Sequence, residues 1–203
     1  MRSPRSLPAY RNPFASAQEI RGLAARYTAF DSANPITEQH VLAAGEALRR
    51  GVAEREGLRT IFRWKLQAYF HRFPWVREFP DGLADEEITL ALGAARRIDV
   101  SREETIAHAL KMLDHLPHVG TPVASTVLMA MYPEHLTVID RQAYKMLKAE
   151  FRDPVPADEY LNYLRFCRAQ AATFDVSLRE YDRALWSAGN EAGRRRPAGQ
   201  NSS

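Results

Sequence analysis

The sequence predicts an all-α fold of about eight to ten helices, and three observations carry that reading. Apolar residues recur at helical spacing along most of the chain. Capping residues stand ahead of those stretches, and no stretch alternates long enough for a convincing strand. Residues 1–15, with Pro4, Pro8 and Pro13, read as an extended, flexible basic arm. Ser16 then caps a helix from Ala17 to Phe30, with Ile20, Leu23, Ala24 and Tyr27 on one face. Asp31–Pro35 is a turn, and Thr37 caps a helix through Ala53. From Leu58 to Phe73 an aromatic-rich helix carries apolar residues round much of its circumference, which places it centrally. Phe73–Leu83, with Pro74, Pro80 and Gly82, reads as a loop. Asp85 caps a helix through Arg97, and Ser101 with Glu104 forms a capping box for the next, whose buried stripe is Ile106, Ala109, Leu110 and Leu113.

After a turn at Leu116–Gly120, Pro122 suits the first turn of a helix bearing Val123, Ala124, Val127, Leu128 and Met131. The chain then crosses through Thr137-Val138-Ile139 to Asp140, which opens another helix. Pro154 and Pro156 break the chain before a helix beginning at Asp158, and Ser177 with Glu180 makes a second capping box ahead of Tyr181, Leu185 and Trp186. Gly189 and Gly193 let the last helix fray, so the chain divides into the arm 1–15, a helical domain 16–190 and a disordered arginine-rich tail 191–203.

Composition narrows the classes. With 203 residues, 45% hydrophobic and 26% charged, the chain is that of a globular protein with one sizeable core or two small helical lobes. Cys167 is alone, which excludes an intramolecular disulfide and a cysteine-ligated metal or iron–sulfur cluster. No apolar run approaches a membrane span and no signal-peptide core is present, so the cytoplasm is the default compartment. The first 18 residues carry Arg2, Arg5 and Arg11 without an acid, a pattern closer to a basic arm than to a transit peptide. They contribute +3 and the last 13 residues contribute +2, leaving −2 for residues 19–190. The basic character therefore sits in the tails, where it adds salt-sensitive, non-specific affinity for nucleic acid.

The stretch from Leu113 to Leu147 organises the rest. In its turn, Leu116, Pro117, Val119 and Gly120 are followed by Ala124 and, 18 residues after Pro122, by Asp140. These residues resemble the helix-hairpin-helix DNA glycosylase superfamily, in which L-P-G-V-G-x-K-T-A precedes the aspartate of V-D-T-H. Here His118 replaces the first hairpin glycine, Pro122 the lyase lysine, and Arg141-Gln142 the Thr-His pair. Trp64-Lys65 and the Leu178–Trp186 block also resemble segments of bacterial members. The resemblance implies a helix-hairpin-helix glycosylase-like fold, a double-stranded DNA partner gripped by its phosphate backbone, and excision of a damaged base by a monofunctional enzyme. It further implies a monovalent cation on carbonyls of the turn. No nucleotide-binding fingerprint appears and no other cofactor is expected, and the lone Cys167 departs from relatives that carry a four-cysteine iron–sulfur cluster. The competing class is a non-catalytic DNA-binding or interaction protein that keeps the scaffold.

The residues themselves support these roles to different degrees. A turn that opens a helix leaves N–H groups unpaired within a positive dipole end, so His118, Val119, Gly120, Thr121 and Ser125 can grip a phosphate; the same corner can also simply pack. Arg141, Lys145, Lys148 and Arg152 recur at helical spacing as a basic stripe, which is either a phosphate track or a solvated face. Asp140 is the candidate catalytic group, because a carboxylate stabilises an oxocarbenium-like sugar or activates water; a helix cap explains it equally. Trp64 and Tyr69 suit stacking on an extruded base but core packing better. Lys65 reads as a snorkelling or salt-bridged lysine before it reads as a relocated amine nucleophile. His115 and His118 lack a third ligand at metal spacing.

Overall fold

The computed structural model describes residues 7–69, 72–151 and 154–194. It is all-helical, with ten α-helices and no strand among the described residues. They are α1 (Ala17–Asp31), α2 (Glu38–Arg49), α3 (Glu54–Lys65), α4 (Pro74–Glu78), α5 (Asp85–Arg96), α6 (Glu103–Asp114), α7 (Thr121–Met131), α8 (Arg141–Met146), α9 (Ala157–Thr173) and α10 (Leu178–Arg194). No helix among the described residues is long and apolar enough to cross a membrane.

Two groups of helices pack side by side. The chain starts in one with α1, builds the other from α2 to α7, and returns to the first for α8, α9 and α10. The second group is centred on α7, where every residue except Pro122 is buried. A helix apolar on all sides has to be surrounded, and α2, α3 and α6 enclose it. The α2–α7 contact is so close that a Cβ on Gly45 would fall 2.1 Å from the Ala130 carbonyl oxygen. In the first group α10 is the hub, packed by α1, α8 and α9.

Several elements differ from their sequence reading. The helix expected from Leu58 to Phe73 stops at Lys65 and gives way to a single 3₁₀ turn at Gln67–Tyr69. The expected loop at 73–83 contains α4, opened by Pro74 in the position where its missing N–H is harmless. The Ser101–Glu104 box does not form: Ser101 bonds to Asp99, and Glu104 pairs with Arg102. The box at Ser177 forms as read, the Ser177 N–H donating to Glu180 at 2.8 Å and the Glu180 N–H to the Ser177 hydroxyl at 3.1 Å. Gly189 and the residues up to Arg194 continue α10 instead of fraying; the rest of the tail, 195–203, lies outside the described residues.

The part of the arm that is described, from Leu7 to Ala15, is extended as expected but held against the body. Tyr10 shares a 2.7 Å hydrogen bond with the Tyr144 hydroxyl, Asn162 donates to the Pro8 carbonyl at 3.0 Å, Tyr181 donates to Asn12 at 3.0 Å, and Phe14 is buried. Residues 1–6 of the arm lie outside the described residues.

The tightest test of this packing is Gly189, where a Cβ would lie 2.2 Å from the Gln142 carbonyl oxygen. Gly189→Ala must push α8 off α10, and overpacking of this kind costs about 1–3 kcal/mol. A lowered melting temperature by calorimetry is expected; an unchanged one would show that the two helices do not meet this closely.

Candidate active site in the cleft between the helix groups

The route to the site begins with four buried residues, Leu136–Ile139, that run extended between α7 and α8. Extended backbone outside a sheet needs side chains to satisfy it. Here the Tyr160 hydroxyl donates to the Thr137 carbonyl at 3.0 Å, the Val138 N–H donates to Asp182 at 3.4 Å, and the Ile139 N–H donates to the Ser125 hydroxyl at 3.2 Å. Three different helices therefore fix the residue that follows.

That residue is Asp140, the N-cap of α8. Its Oδ1 accepts from the N–H groups of Gln142 at 2.8 Å and Ala143 at 3.0 Å. Its Oδ2 takes no part in the cap and stands 3.6 Å from the Lys65 ammonium. One oxygen thus serves the cap and the other faces the ammonium. Lys65 and Asp140 keep only 14% and 17% of their side-chain surface, so the pair is partly withdrawn from water.

Both side chains line a cleft of about 960 Å³ between the two groups of helices. One wall is a face of α10 formed by Arg179, Asp182, Arg183, Trp186 and Asn190; the end of α3 and its 3₁₀ turn form another. Phe30 extends the aromatic surface, its ring 5.0 Å from that of Trp186. Pro122, in the first turn of α7, also borders the cleft and so joins it to the turn at 116–120.

A buried charge cluster supports the α10 wall. Arg179 donates to Glu38 at 2.7 Å and also binds Asp182, while Arg183 donates to Glu38 at 2.7 Å. Burial opposes ionisation of Glu38, but the two arginines outweigh it and hold its carboxyl at about 2. For Asp182 burial wins over Arg179, and its carboxyl is raised above the usual range. Next to the cluster, the Trp64 indole donates to Asp31 at 2.8 Å, and the Glu38 N–H donates to the other Asp31 oxygen at 2.7 Å.

The turn itself has only one outward side chain among its candidate contacts. His118 is exposed and takes φ +64°, the left-handed conformation in which a non-glycine residue loses about 1–2 kcal/mol. Its ring lies on that of Trp75, 4.6 Å between centroids and 19° apart. Val119 is buried in the core, the Thr121 hydroxyl donates to the Val155 carbonyl at 2.5 Å, and Ser125 is fully buried as the partner of Ile139. These three side chains therefore face inward, and what the turn can offer a phosphate is backbone. The N–H groups of Gly120 and Thr121 make no hydrogen bond among the described residues, nor do the carbonyls of Pro117, His118 and Val119. The turn thus keeps unpaired backbone donors and acceptors among the described residues.

The basic stripe does not form as a helical face, because α8 ends after six residues at Met146. Arg141 lies over the Phe151 ring at 5.8 Å, Lys145 donates to the Gln142 side chain at 3.0 Å, and Lys148 sits beyond the helix at φ +54°. All three are exposed, and Arg152 lies outside the described residues. His115 bonds to the Lys111 carbonyl, and no three His, Cys, Asp or Glu side chains gather as metal ligands among the described residues.

Comparison of the chain with known protein families, curated proteins and solved structures finds no match.

Sequence reasoning located Asp140 and read Lys65 as salt-bridged, as it is, but did not pair the two and missed the Arg179 cluster. Only the cluster left a trace: charged residues at 179, 182 and 183 recur at the spacing of one helix face together with Trp186.

The cluster sets a pH dependence. Glu38 has a folded value of about 2 against 4.5 when unperturbed, so it stabilises the fold above pH 4.5 and loses that contribution as pH falls toward 2. Acid titration by circular dichroism should show stability falling across this window, and Glu38→Gln should flatten the fall. A variant with the wild-type profile would remove Glu38 from the acid response.

Proposed function

We propose that the protein binds double-stranded DNA and hydrolyses the N-glycosidic bond of a damaged base held in the cleft, with Asp140 as the catalytic carboxylate. The observation that carries this reading is the position of Asp140 Oδ2: outside the cap, beside Lys65, in a cleft large enough for a nucleoside and bordered by the turn through Pro122. As the base departs with the bonding electron pair, C1′ of the sugar becomes oxocarbenium-like and a carboxylate stabilises it. Water then attacks C1′, and the same oxygen accepts the proton it loses. The free N–H groups of Gly120 and Thr121 suit a flanking phosphate, and carbonyls of Pro117, His118 and Val119 would hold a monovalent cation there. Such a cation would add positive charge next to the phosphate. The exposed Arg141, Lys145 and Lys148 add charge beside the cleft mouth.

A second reading, a non-catalytic DNA-binding or interaction protein, rests on one observation. The capping bonds to Gln142 and Ala143 account for an aspartate at 140 without any chemistry.

Substitution at Asp140 separates the two. Both variants lose the Lys65 pairing, but Asn caps about as well as Asp, so Asp140→Asn should fold and melt above Asp140→Ala, which loses roughly 0.5–2 kcal/mol more with the cap. On duplexes bearing alkylated, oxidised and deaminated bases, Asp140→Asn should lose most excision while its duplex affinity still falls steeply with salt. Wild-type excision by the Asn variant would reduce Asp140 to a cap.

The same geometry bears on strand cleavage. Position 122 offers no amine, and the Lys65 ammonium is held against Asp140. Borohydride is therefore expected not to trap the protein on an abasic-site duplex. Trapping that disappears in Lys65→Met would instead make Lys65 a nucleophile and the enzyme a lyase.

A further inference from the structure

The charged groups of the cleft are largely bound to one another. Asp31 accepts from the Trp64 indole and the Glu38 N–H, Asp140 accepts two N–H groups and faces Lys65, and Asp182 accepts from Arg179 and the Val138 N–H. Arg179 and Arg183 are both engaged by Glu38. Each of these carboxylates already accepts from a donor, and the Lys65 ammonium stands against the Asp140 oxygen that the cap leaves open, so a cation entering the cleft would have to displace that ammonium.

Two neutral groups are in the opposite condition. Gln67, on the 3₁₀ turn, and Asn190, on α10, both line the cleft, are half-buried, and make no side-chain hydrogen bond among the described residues. Each carboxamide offers two donors and an acceptor, the complement of a lactam or amide edge. Asn190 follows Trp186 by one helical turn on the same face of α10, so an edge reader and an aromatic wall stand next to each other. The polar atoms of Gln67 and Asn190 are not sealed from solvent, so a ligand edge has to replace their water bond for bond, which makes the two carboxamides readers of donor and acceptor order.

We propose that the cleft selects an uncharged planar heterocycle with an amide-type edge, stacked against Trp186 and read by Gln67 and Asn190, and rejects a cationic N-alkylated one. This rests on the base-excision reading and narrows its substrates to neutral bases such as deaminated or oxidised ones. Adjacent donor and acceptor atoms on such a ring satisfy the carboxamides without disturbing the Lys65–Asp140 pair. A cationic ring must either face the ammonium or compete with it for Asp140.

Equilibrium dialysis of the full chain against three nucleosides tests this. Inosine is neutral with an open amide edge, 1-methylinosine is neutral with that edge blocked, and 7-methylinosine is cationic in mildly acidic buffer, where its N1 proton is retained and where all three are compared. Inosine should be retained, and the other two should bind about tenfold more weakly or worse. Gln67→Ala and Asn190→Ala should each weaken inosine binding about three- to tenfold with the melting temperature unchanged. The proposal is overturned if 7-methylinosine binds as tightly as inosine, if the amide variants bind like wild type, or if inosine is not retained. Selective retention of inosine by a protein that excises nothing from any lesion duplex would sink the excision reading and leave this one standing. Excision of a cationic alkylated base from duplex DNA would do the reverse.

Discussion

The guanidinium of Arg179 is the point on which the first group of helices depends. It touches Glu38 on α2, Asp182 on its own helix and Tyr27 on α1, over whose ring it lies at 5.6 Å. A cation removed from water is tolerable only when its donors find acceptors, and such a cluster specifies geometry more than it adds stability. Its reach extends to the cleft. Asp182, held by Arg179, receives the Val138 N–H, and Val138 precedes Asp140 by two residues. Removal of the guanidinium would leave buried Asp182 without its cation and Glu38 held by Arg183 alone, and would loosen the segment that aims the catalytic candidate.

Helix positions were legible because burial of one face imposes a 3.6-residue period on the sequence. The break after Lys65 was not, since the apolar and aromatic residues of Leu58–Phe73 continue past it and serve two short elements instead of one long helix. Asp140 could be read from a cap signature and a motif. Its neighbour could not, because Lys65 reaches it across the interface of the two helix groups and periodicity carries no long-range information. Thr121 and Ser125 show the opposite error. Polar residues at the start of α7 suggested a surface grip, yet their hydroxyls satisfy the backbone of Val155 and Ile139, the common fate of buried hydroxyls.

The turn at 116–120 and the cleft are mechanically one unit. Pro122 borders the cleft from the first turn of α7, and Ser125 on the same helix holds Ile139, the residue before Asp140. Because α7 is buried along all of its length but Pro122, it behaves as a rigid post between the backbone of the turn and the Asp140 carboxylate. Fixed separation of this kind matters because catalytic groups lose effect when they are displaced by even an ångström.

The path of the chain has a consequence for biosynthesis. Tyr10 docks on Tyr144, Asn12 on Tyr181, and α1 on α10, so segments made early await partners made well over a hundred residues later. Helices α2 to α7 can enclose their own core as they emerge, whereas Phe14, Leu23 and Tyr27 stay uncovered until α10 is complete. Contacts of such long sequence separation form late. The cleft, bounded by both groups, takes shape only once α10 is in place, so a chain cut short before α10 would hold the core of α2 to α7 and no cleft.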